Sequence, residues 1–289
     1  MEWEKAKNYI LIAFIILNAG LAILLHLENR RYTMTSDRDR NINIVLGRNN
    51  ISLYTIPIRR FPPMRPLDVS GFYYDVPTLL EIFFENGSAL ENLEDDPYRW
   101  HFREGYSELT ISNGLISFDF DARGLAHPYY EYGEITPEEA AALSGEFIGL
   151  HFPDFVHDIT FEWGDGIRRI YRQKYRGRLI YSNYAEFYIT SHGIEWIDMM
   201  FGRIIGHVRE PQMIFAPDEV LLTFMHLMRD RIMEEHIFIM SMDMVYLQEY
   251  VSTRPGIPYA AVPTYRIFIE GSEDEPFLIN AFTNMMPFR

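Results

Sequence analysis

The chain has 289 residues, of which 48% are hydrophobic and 15% aromatic, and its formal net charge is −15. A chain this acidic is poorly suited to bind nucleic acid, because the phosphate backbone repels it. The sequence contains no cysteine, which excludes disulfide bonds and a lipid-modified cysteine and argues against a structural zinc site.

The first predicted element is a transmembrane helix from Tyr9 to Leu27, which follows a short N-terminal segment, 1–8. The run contains no charged side chain. In hydrocarbon, an apolar stretch of this length satisfies its backbone polar groups as a helix. The alternative is a cleaved signal peptide. The length of the run and the lack of a small-x-small cleavage site favour a retained anchor.

The charges that flank this helix leave its orientation open. Lys5 and Lys7, with the amino terminus, favour a cytoplasmic N-terminus. Arginines that follow the helix argue for the opposite orientation: Arg30, Arg31, Arg38 and Arg40.

One stripe of the predicted anchor is small and polar. Asn18, Ala22 and His26 recur every fourth residue, with Ala19 beside them. Such stripes let transmembrane helices approach closely and hydrogen-bond to one another, so this face is a candidate binding surface for another helix. The alternative is that His26 lies at the headgroups and Asn18 is merely tolerated.

Beyond a charged linker, 28–35, the sequence predicts an N-terminal lobe over 36–130. Ser36 or Asp37 caps one predicted helix, and another runs from Val76 or Pro77 to Glu85. The predicted strands are Ile51–Ile56, Leu109–Ile111 and Leu115–Asp121, the last two joined by an Asn113-Gly114 turn.

A repeated start signal opens two further lobes, 131–210 and 211–289. Thr136-Pro-Glu-Glu and Ala216-Pro-Asp-Glu both place proline and acids in the first turn of a helix. Strands follow each helix, at Ile159–Trp163, Ile167–Tyr175, Leu179–Tyr181, Phe187–Thr190 and Ile194–Asp198, and then at Ile237–Tyr250, Tyr265–Ile269 and Phe277–Phe282. The fold class predicted is α+β, with two or three lobes of antiparallel meander sheet, each packed by one helix.

A basic run stands out in the otherwise acidic chain. It comprises Arg168, Arg169, Arg172 and Lys174, followed by Arg176 and Arg178. Since strand residues alternate between faces, the run does not form one clean patch. It is either a solvated hairpin or a docking surface for an acidic partner, with Arg168, Arg169, Arg172 and Lys174 as candidate contacts.

No motif for catalysis or for a cofactor is present, so the sequence predicts a protein that is not an enzyme and has no cofactor and no metal site. His151 and His157 flank a proline-containing segment without a third metal ligand. Asp119 and Asp121 point the same way on a strand, about 7 Å apart, as in an inverting glycosidase. The simpler interpretation is a solvated strand face.

Both ends of the chain resemble the YycI (WalI) family. The N-terminal match is Met1-Glu-Trp-Glu-Lys-Ala-Lys followed by the Ile/Phe-rich helix with Asn18. The C-terminal matches are Val262-Pro-Thr-Tyr-Arg-Ile267 and Phe277-Leu-Ile-Asn-Ala-Phe-Thr283, which resemble the closing strands of YycI and of PepSY-like lobes. Asn284 stands where that pattern has glycine, and asparagine tolerates the left-handed conformation of such a turn.

The resemblance implies a function and an orientation. Members of this family are single-pass membrane proteins with a cytoplasmic N-terminus and an extracytoplasmic domain. With the related YycH they associate with the sensor histidine kinase WalK (YycG), partly through transmembrane helices, and adjust its signalling in cell-wall homeostasis. Whether the protein also binds itself stays open. The alternative function is a PepSY-like module that inhibits or assists a peptidase or cell-wall hydrolase.

Overall fold

A computed structural model of the chain describes residues 2–70, 75–84, 90–93, 99–112, 114–120, 135–207, 210–233, 235–248, 259–272 and 275–287. It confirms the predicted α+β class. The helices are α1 Glu2–Arg31, α2 Ser36–Arg48, α3 Val76–Phe83, α4 Pro137–His151 and α5 Pro217–Leu227, with a 3₁₀ turn at Arg231–Met233. The strands are β1 Ile51–Leu53, β2 Leu67–Val69, β3 Arg99–Glu104, β4 Ser107–Ser112, β5 Leu115–Asp119, β6 Phe155–Trp163, β7 Gly166–Tyr175, β8 Arg178–Thr190, β9 Gly193–Met200, β10 Ile204–His207, β11 Ile237–Gln248, β12 Tyr259–Ile269 and β13 Phe277–Asn280.

The strands form one sheet in which most neighbours are antiparallel. Its main path is β10-β2-β12-β11-β8-β9-β5-β4-β3, while β1 pairs with β11, β13 with β12, and β7 with both β6 and β8. Two of the pairs are parallel, β1 with β11 and β11 with β8. The second parallel pair is a single bridge, Tyr246 with Ile180, and it joins the two parts of the sheet.

Two hydrophobic cores lie along this sheet. The first packs α2 and α5 against β1, β2, β11, β12 and β13, around the fully buried Tyr265 and Phe224. The second packs α3 and α4 against β4, β5, β7, β8 and β9, around Phe118 and Phe187. Strand β8 belongs to both, because Ile180 lies in the first core and Phe187 in the second. The predicted lobe 36–130 is divided between them, since its α2 belongs to the first core and its α3 to the second.

Local signals place the helix starts. Thr136 caps α4 with a reciprocal capping box: its hydroxyl accepts from the backbone N–H of Glu139, and the Glu139 carboxylate accepts from the N–H of Thr136. At α5 the Glu219 carboxylate accepts from the N–H of Ala216, 3.0 Å away. Thr35 caps α2, one residue before the predicted cap.

The predicted linker 28–35 is largely absent as a linker, because α1 continues through Arg31. Glu28, Asn29, Arg30 and Arg31 are compatible with helix, and extending an existing helix requires no new nucleation. The next residues then pair with the chain that follows β1. Thr33 bridges Arg60, and the N–H of Met34 donates to the carbonyl of Arg59 at 2.8 Å.

The two strands predicted at Leu179–Tyr181 and Phe187–Thr190 are one strand, β8. The polar residues between them interrupt the hydrophobic pattern without interrupting the strand. Asn183 is fully buried, and its amide donates to Gln173 at 2.6 Å and to the carbonyl of Gly202 at 3.2 Å. A buried polar side chain is tolerated where it is hydrogen-bonded in this way.

The closing turn adopts the conformation that the sequence predicted. Asn284 has φ 55°, in the left-handed region, and its N–H donates to the carbonyl of Asn280 at 2.9 Å. Asparagine therefore replaces glycine in this turn without preventing it.

Candidate functional site

The N-terminal helix is the first candidate site. Ala6–Leu24, the 19-residue apolar part of α1, has a mean hydropathy of 1.8, and none of it is buried against the rest of the protein. In the described part of the chain, α1 is the one helix long and apolar enough to cross a membrane. The apolar stretch lies three residues earlier than the predicted span, and it is exposed on every side.

The small and polar stripe of this helix is not covered by the globular part, since Asn18, Ala19 and Ala22 are all exposed. Asn18 donates one amide hydrogen to the carbonyl of Phe14, 2.9 Å away and one turn earlier. Its side-chain oxygen accepts no hydrogen bond from the described residues, so it remains available to a donor on another helix. Ala19 and Ala22 are exposed beside it, while the side chain of His26 lies outside the described part.

The helix is joined directly to the first core. Phe61 donates its N–H to the carbonyl of Tyr32 at 3.0 Å, and Met34 is buried in the core itself, 8% exposed. Together with the hydrogen bond from the N–H of Met34 to the carbonyl of Arg59, these contacts hold the chain within three residues of the end of α1. The segment between the end of α1 and the buried Met34 is therefore two residues long, Tyr32 and Thr33.

The basic run does not form the surface that the sequence suggested. Arg169 and Arg172 are buried, at 8% and 6% exposure. Arg168 lies under the rings of Phe161, Trp163 and Trp196 and pairs with Glu186. Lys174 is exposed. Alternation along β7 separates the four residues. Arg169 and Arg172 are buried, and Arg168 and Arg172 pair with nearby acids, so a single docking patch of all four is not available.

A buried charge cluster lies where the two cores meet, and sequence reasoning missed it. Asp158 on β6 accepts from both ends of the Arg266 guanidinium on β12, at 2.6 and 2.9 Å, and from Arg172 Nε on β7 at 2.7 Å. Arg266 also donates to Asp243 on β11, at 2.6 and 2.9 Å. The ring of Tyr181 lies 3.7 Å from the Arg172 guanidinium.

A β-bulge on β6 directs Asp158 toward this cluster. The register of β6 with β7 shifts between His157 and Ile159, which places one extra residue at Asp158. Burial alone would raise the pKa of Asp158, but the hydrogen bonds and charges of Arg266 and Arg172 outweigh it and hold the pKa below its usual range. The sequence signal that points to this cluster is Arg266, because a charged residue within a buried strand such as β12 requires a charged partner.

The predicted carboxylate pair cannot be compared, because Asp121 lies outside the described residues. Asp119 lies on the open face of the sheet, opposite Glu108 on β4 and Trp196 on β9. Burial, Asp198 and Glu108 all raise its pKa. Asp198 accepts a 2.6 Å hydrogen bond from Ser117. The three acids Glu108, Asp119 and Asp198 therefore lie on three neighbouring strands, β4, β5 and β9.

His151 and His157, which flank a proline-containing segment, do not lie in a metal-binding arrangement. The ring of His151 packs against Phe147, and Nε2 of His157 lies 2.7 Å from the hydroxyl of Thr160. Burial, and for His157 also Arg169, lowers the pKa of each imidazole. Across the described ranges, no three histidine or acidic side chains come together as a metal site.

Comparison with known proteins establishes the fold. No known protein family and no curated protein matches the sequence. An uncharacterised protein from Eubacterium rectale is similar in structure, with a TM-score of 0.53 and 11% identity over 83% of this chain and 90% of that one. At this identity the likeness shows a shared fold and says nothing of activity.

Two further solved structures show weaker likeness. The C-terminal domain of YpeB from Bacillus megaterium has a TM-score of 0.43 and 10% identity, over 75% of this chain and 96% of that one. YycH from Bacillus subtilis has a TM-score of 0.45 and 11% identity, over 81% of this chain and 57% of that one. Membership of the YycI family stays a prediction from the two ends of the sequence.

Proposed function

We propose that this protein is a non-enzymatic regulator, held in the plasma membrane by α1, that binds a sensor histidine kinase and modulates two-component signalling in cell-wall homeostasis. The N-terminus lies in the cytoplasm and the globular part outside it. A YycH-like protein is the second partner. The proposal draws its partners and orientation from the resemblance of both chain ends to YycI.

The observation that supports the mechanism most is the unbroken path from the membrane helix to the first core. Helix α1 runs from Glu2 to Arg31, and Met34 is buried three residues later. A regulator of this kind acts by contacting two states of its partner with different affinities. A rigid connection lets a change in the globular part alter the contact that α1 makes in the membrane.

The contact surface on α1 is the stripe of Asn18, Ala19, Ala22 and His26. Small side chains permit close helix approach, and a polar side chain in lipid contributes about 1 kcal/mol when it hydrogen-bonds across helices. The opposite face of α1 offers a matched control, because Ala13 is also an exposed alanine in the apolar stretch and lies about 140° around the helix from Asn18.

Co-purification with the kinase in mild detergent tests the proposal. Changing Asn18, Ala22 and His26 together to leucine should weaken association with the tagged kinase and alter the output of its target genes. The control Ala13→Leu should leave both unchanged. Wild-type association and output in the triple variant would remove this helix face from the mechanism. Capture of a peptidase or wall hydrolase in place of the kinase would support the PepSY-like alternative.

A further inference from the structure

The end of α1 is surrounded by arginine in a chain that is otherwise acidic. Residues 28–65 contain eight arginines and three acidic residues, although the net charge of the whole chain is −15. Arg30 and Arg31 occupy the last turn of α1. This local excess of positive charge begins within a few residues of the apolar stretch.

The fold adds two more arginines to the same place. Because Thr33 bridges Arg60 and Met34 bonds to the carbonyl of Arg59, the pair that follows β1 lies beside the residues that follow α1. We name Arg30, Arg31, Arg59 and Arg60 the juxtamembrane basic surface. Its four members come from two segments almost 30 residues apart in sequence, so the cluster is a product of the fold.

These four side chains are exposed and make no ion pair within the described residues. Other arginines of the region differ. Arg38 pairs with Asp218 at 2.6 Å, and Arg65 lies 3.8 Å from Glu210. Asp37 and Asp39 are the acids of the neighbouring α2, and Asp39 hydrogen-bonds Asn43. The surface therefore keeps a net positive charge directed at solvent.

The surface lies at the depth of lipid headgroups if the apolar stretch spans the bilayer. Arg30 and Arg31 follow Leu24 by six and seven residues, which is about 10 Å along a helix axis. The interfacial region of a bilayer extends roughly 5–8 Å beyond the hydrocarbon on each side, so the backbone of these two arginines lies just beyond it and their long side chains reach back to the headgroups. Ile56, which is 67% exposed and lines the same shallow cavity as Arg59, supplies an apolar side chain at this level.

We propose that the juxtamembrane basic surface binds the anionic phospholipid headgroups of the leaflet that faces the globular part, and so fixes that part against the membrane. Arginine binds phosphate through two parallel hydrogen bonds, and juxtamembrane basic clusters are attracted to acidic lipid. The acidic remainder of the chain is repelled from the same lipid, which leaves this surface as the face that points to the bilayer. The proposal rests on the membrane anchoring of α1 but on no kinase.

A single introduced cysteine can measure this contact, since the full chain has none. Ile56→Cys, labelled with a fluorophore, is reconstituted in nanodiscs of phosphatidylcholine alone or mixed with phosphatidylglycerol, each with a spin-labelled headgroup quencher. Quenching should be at least about twofold stronger in the anionic discs, and salt at about 1 M should abolish the difference because the Debye length falls to about 3 Å. Tyr106→Cys, at the opposite edge of the sheet and 80% exposed, should show no dependence on lipid charge.

Charge variants distinguish this surface from the net charge of the chain. Arg59→Gln with Arg60→Gln should remove the lipid dependence at Ile56→Cys, whereas Arg99→Gln with Arg103→Gln, the same loss of charge on the far strand β3, should retain it. Equal quenching in neutral and anionic discs, with the chain incorporated in both, would overturn the surface contact alone. Failure of the wild-type chain to incorporate in either disc would overturn the anchoring, and with it both proposals.

Discussion

Arg266 and Asp158 form a two-bond ion pair, at 2.6 and 2.9 Å, between strands that belong to different parts of the sheet. Both side chains are 4% exposed, and the residues are 108 positions apart. This pair and its neighbours Arg172 and Asp243 form a buried polar connection between the regions of the two cores. Removing one partner leaves the other charged and buried, which is far more costly than the net contribution of the pair.

Asp158→Asn should therefore lower the free energy of unfolding by about 3–5 kcal/mol. The measurement is urea denaturation of the full chain in detergent, followed by tryptophan fluorescence. The control is Arg103→Gln, which removes an exposed partner of Glu108 and should cost less than about 1 kcal/mol. Equal effects of the two variants would show that the buried cluster does not hold the cores together.

The Asp158 cluster also predicts that the stability of the folded protein falls in acid. Since the pKa of Asp158 is lower in the folded protein than its ordinary value near 4, its stabilisation is present above about pH 4 and is lost as the pH falls through the folded pKa. The urea midpoint of the wild type should fall below about pH 4 more steeply than that of Asp158→Asn. Parallel pH profiles would contradict this assignment.

Glu186 should change the free energy of unfolding with pH in the opposite direction to Asp158, and at a less acidic pH. Burial raises its pKa although Arg168 opposes the shift, so the folded protein takes up this proton at a higher pH than the unfolded chain does. Its contribution makes the protein more stable as the pH falls through the raised pKa of the folded state toward the ordinary value of 4.5. Glu186→Gln, which resembles the protonated form, should remove that part of the slope; an unaltered slope above pH 4.5 would count against it.

Gly202 lies where the chain passes from β9 to β10, at a close approach to the end of β2. A Cβ at this position would lie 2.4 Å from the carbonyl oxygen of Ser70 and 2.8 Å from a methyl group of Val69. Gly202→Ala should cost about 1–3 kcal/mol through overpacking. Gly149→Ala, in α4 with open space around it, should instead stabilise by about 0.5 kcal/mol in the same denaturation experiment. Comparable stabilities would refute the predicted close packing.

A flexible insertion tests the direct connection of α1 to the first core. Four glycine and serine residues placed between Arg31 and Tyr32 should leave association with the kinase intact while abolishing the effect of the protein on target-gene output. The control is the same insertion in the turn at Arg176-Gly177, which is exposed and joins β7 to β8. Normal output from the first insertion would mean that rigid coupling is not required.

Local signals in the sequence predicted the parts of the fold that depend on neighbouring residues. Thr136-Pro-Glu-Glu identified the start of α4, because cap, proline and acid all act within one turn. The left-handed Asn284 was also predictable from residue type. The apolar stretch of α1 follows from composition alone.

Features that depend on distant partners could not be predicted in this way. The sequence places Arg172 at the surface, because no neighbouring residue indicates that Asp158 across a bulge and Arg266 on another strand lie close to it. Strands β2, β3 and β10 are short or polar, and their pairing is set by neighbours far along the chain. The division of 36–130 between two cores likewise depends on which strands each helix covers.

The central claim is that the stripe of Asn18 and Ala22 contacts the kinase within the membrane. Since the chain has no cysteine, single cysteines placed from Ala13 to Leu24 and labelled with a photo-activatable benzophenone report each position separately. Cross-linking to the kinase should recur at Asn18 and Ala22 and be weak at Ala13, Gly20 and Leu24. Cross-linking that is strongest on the Ala13 face, or that is absent from the whole helix in a complex that still co-purifies, would contradict the account.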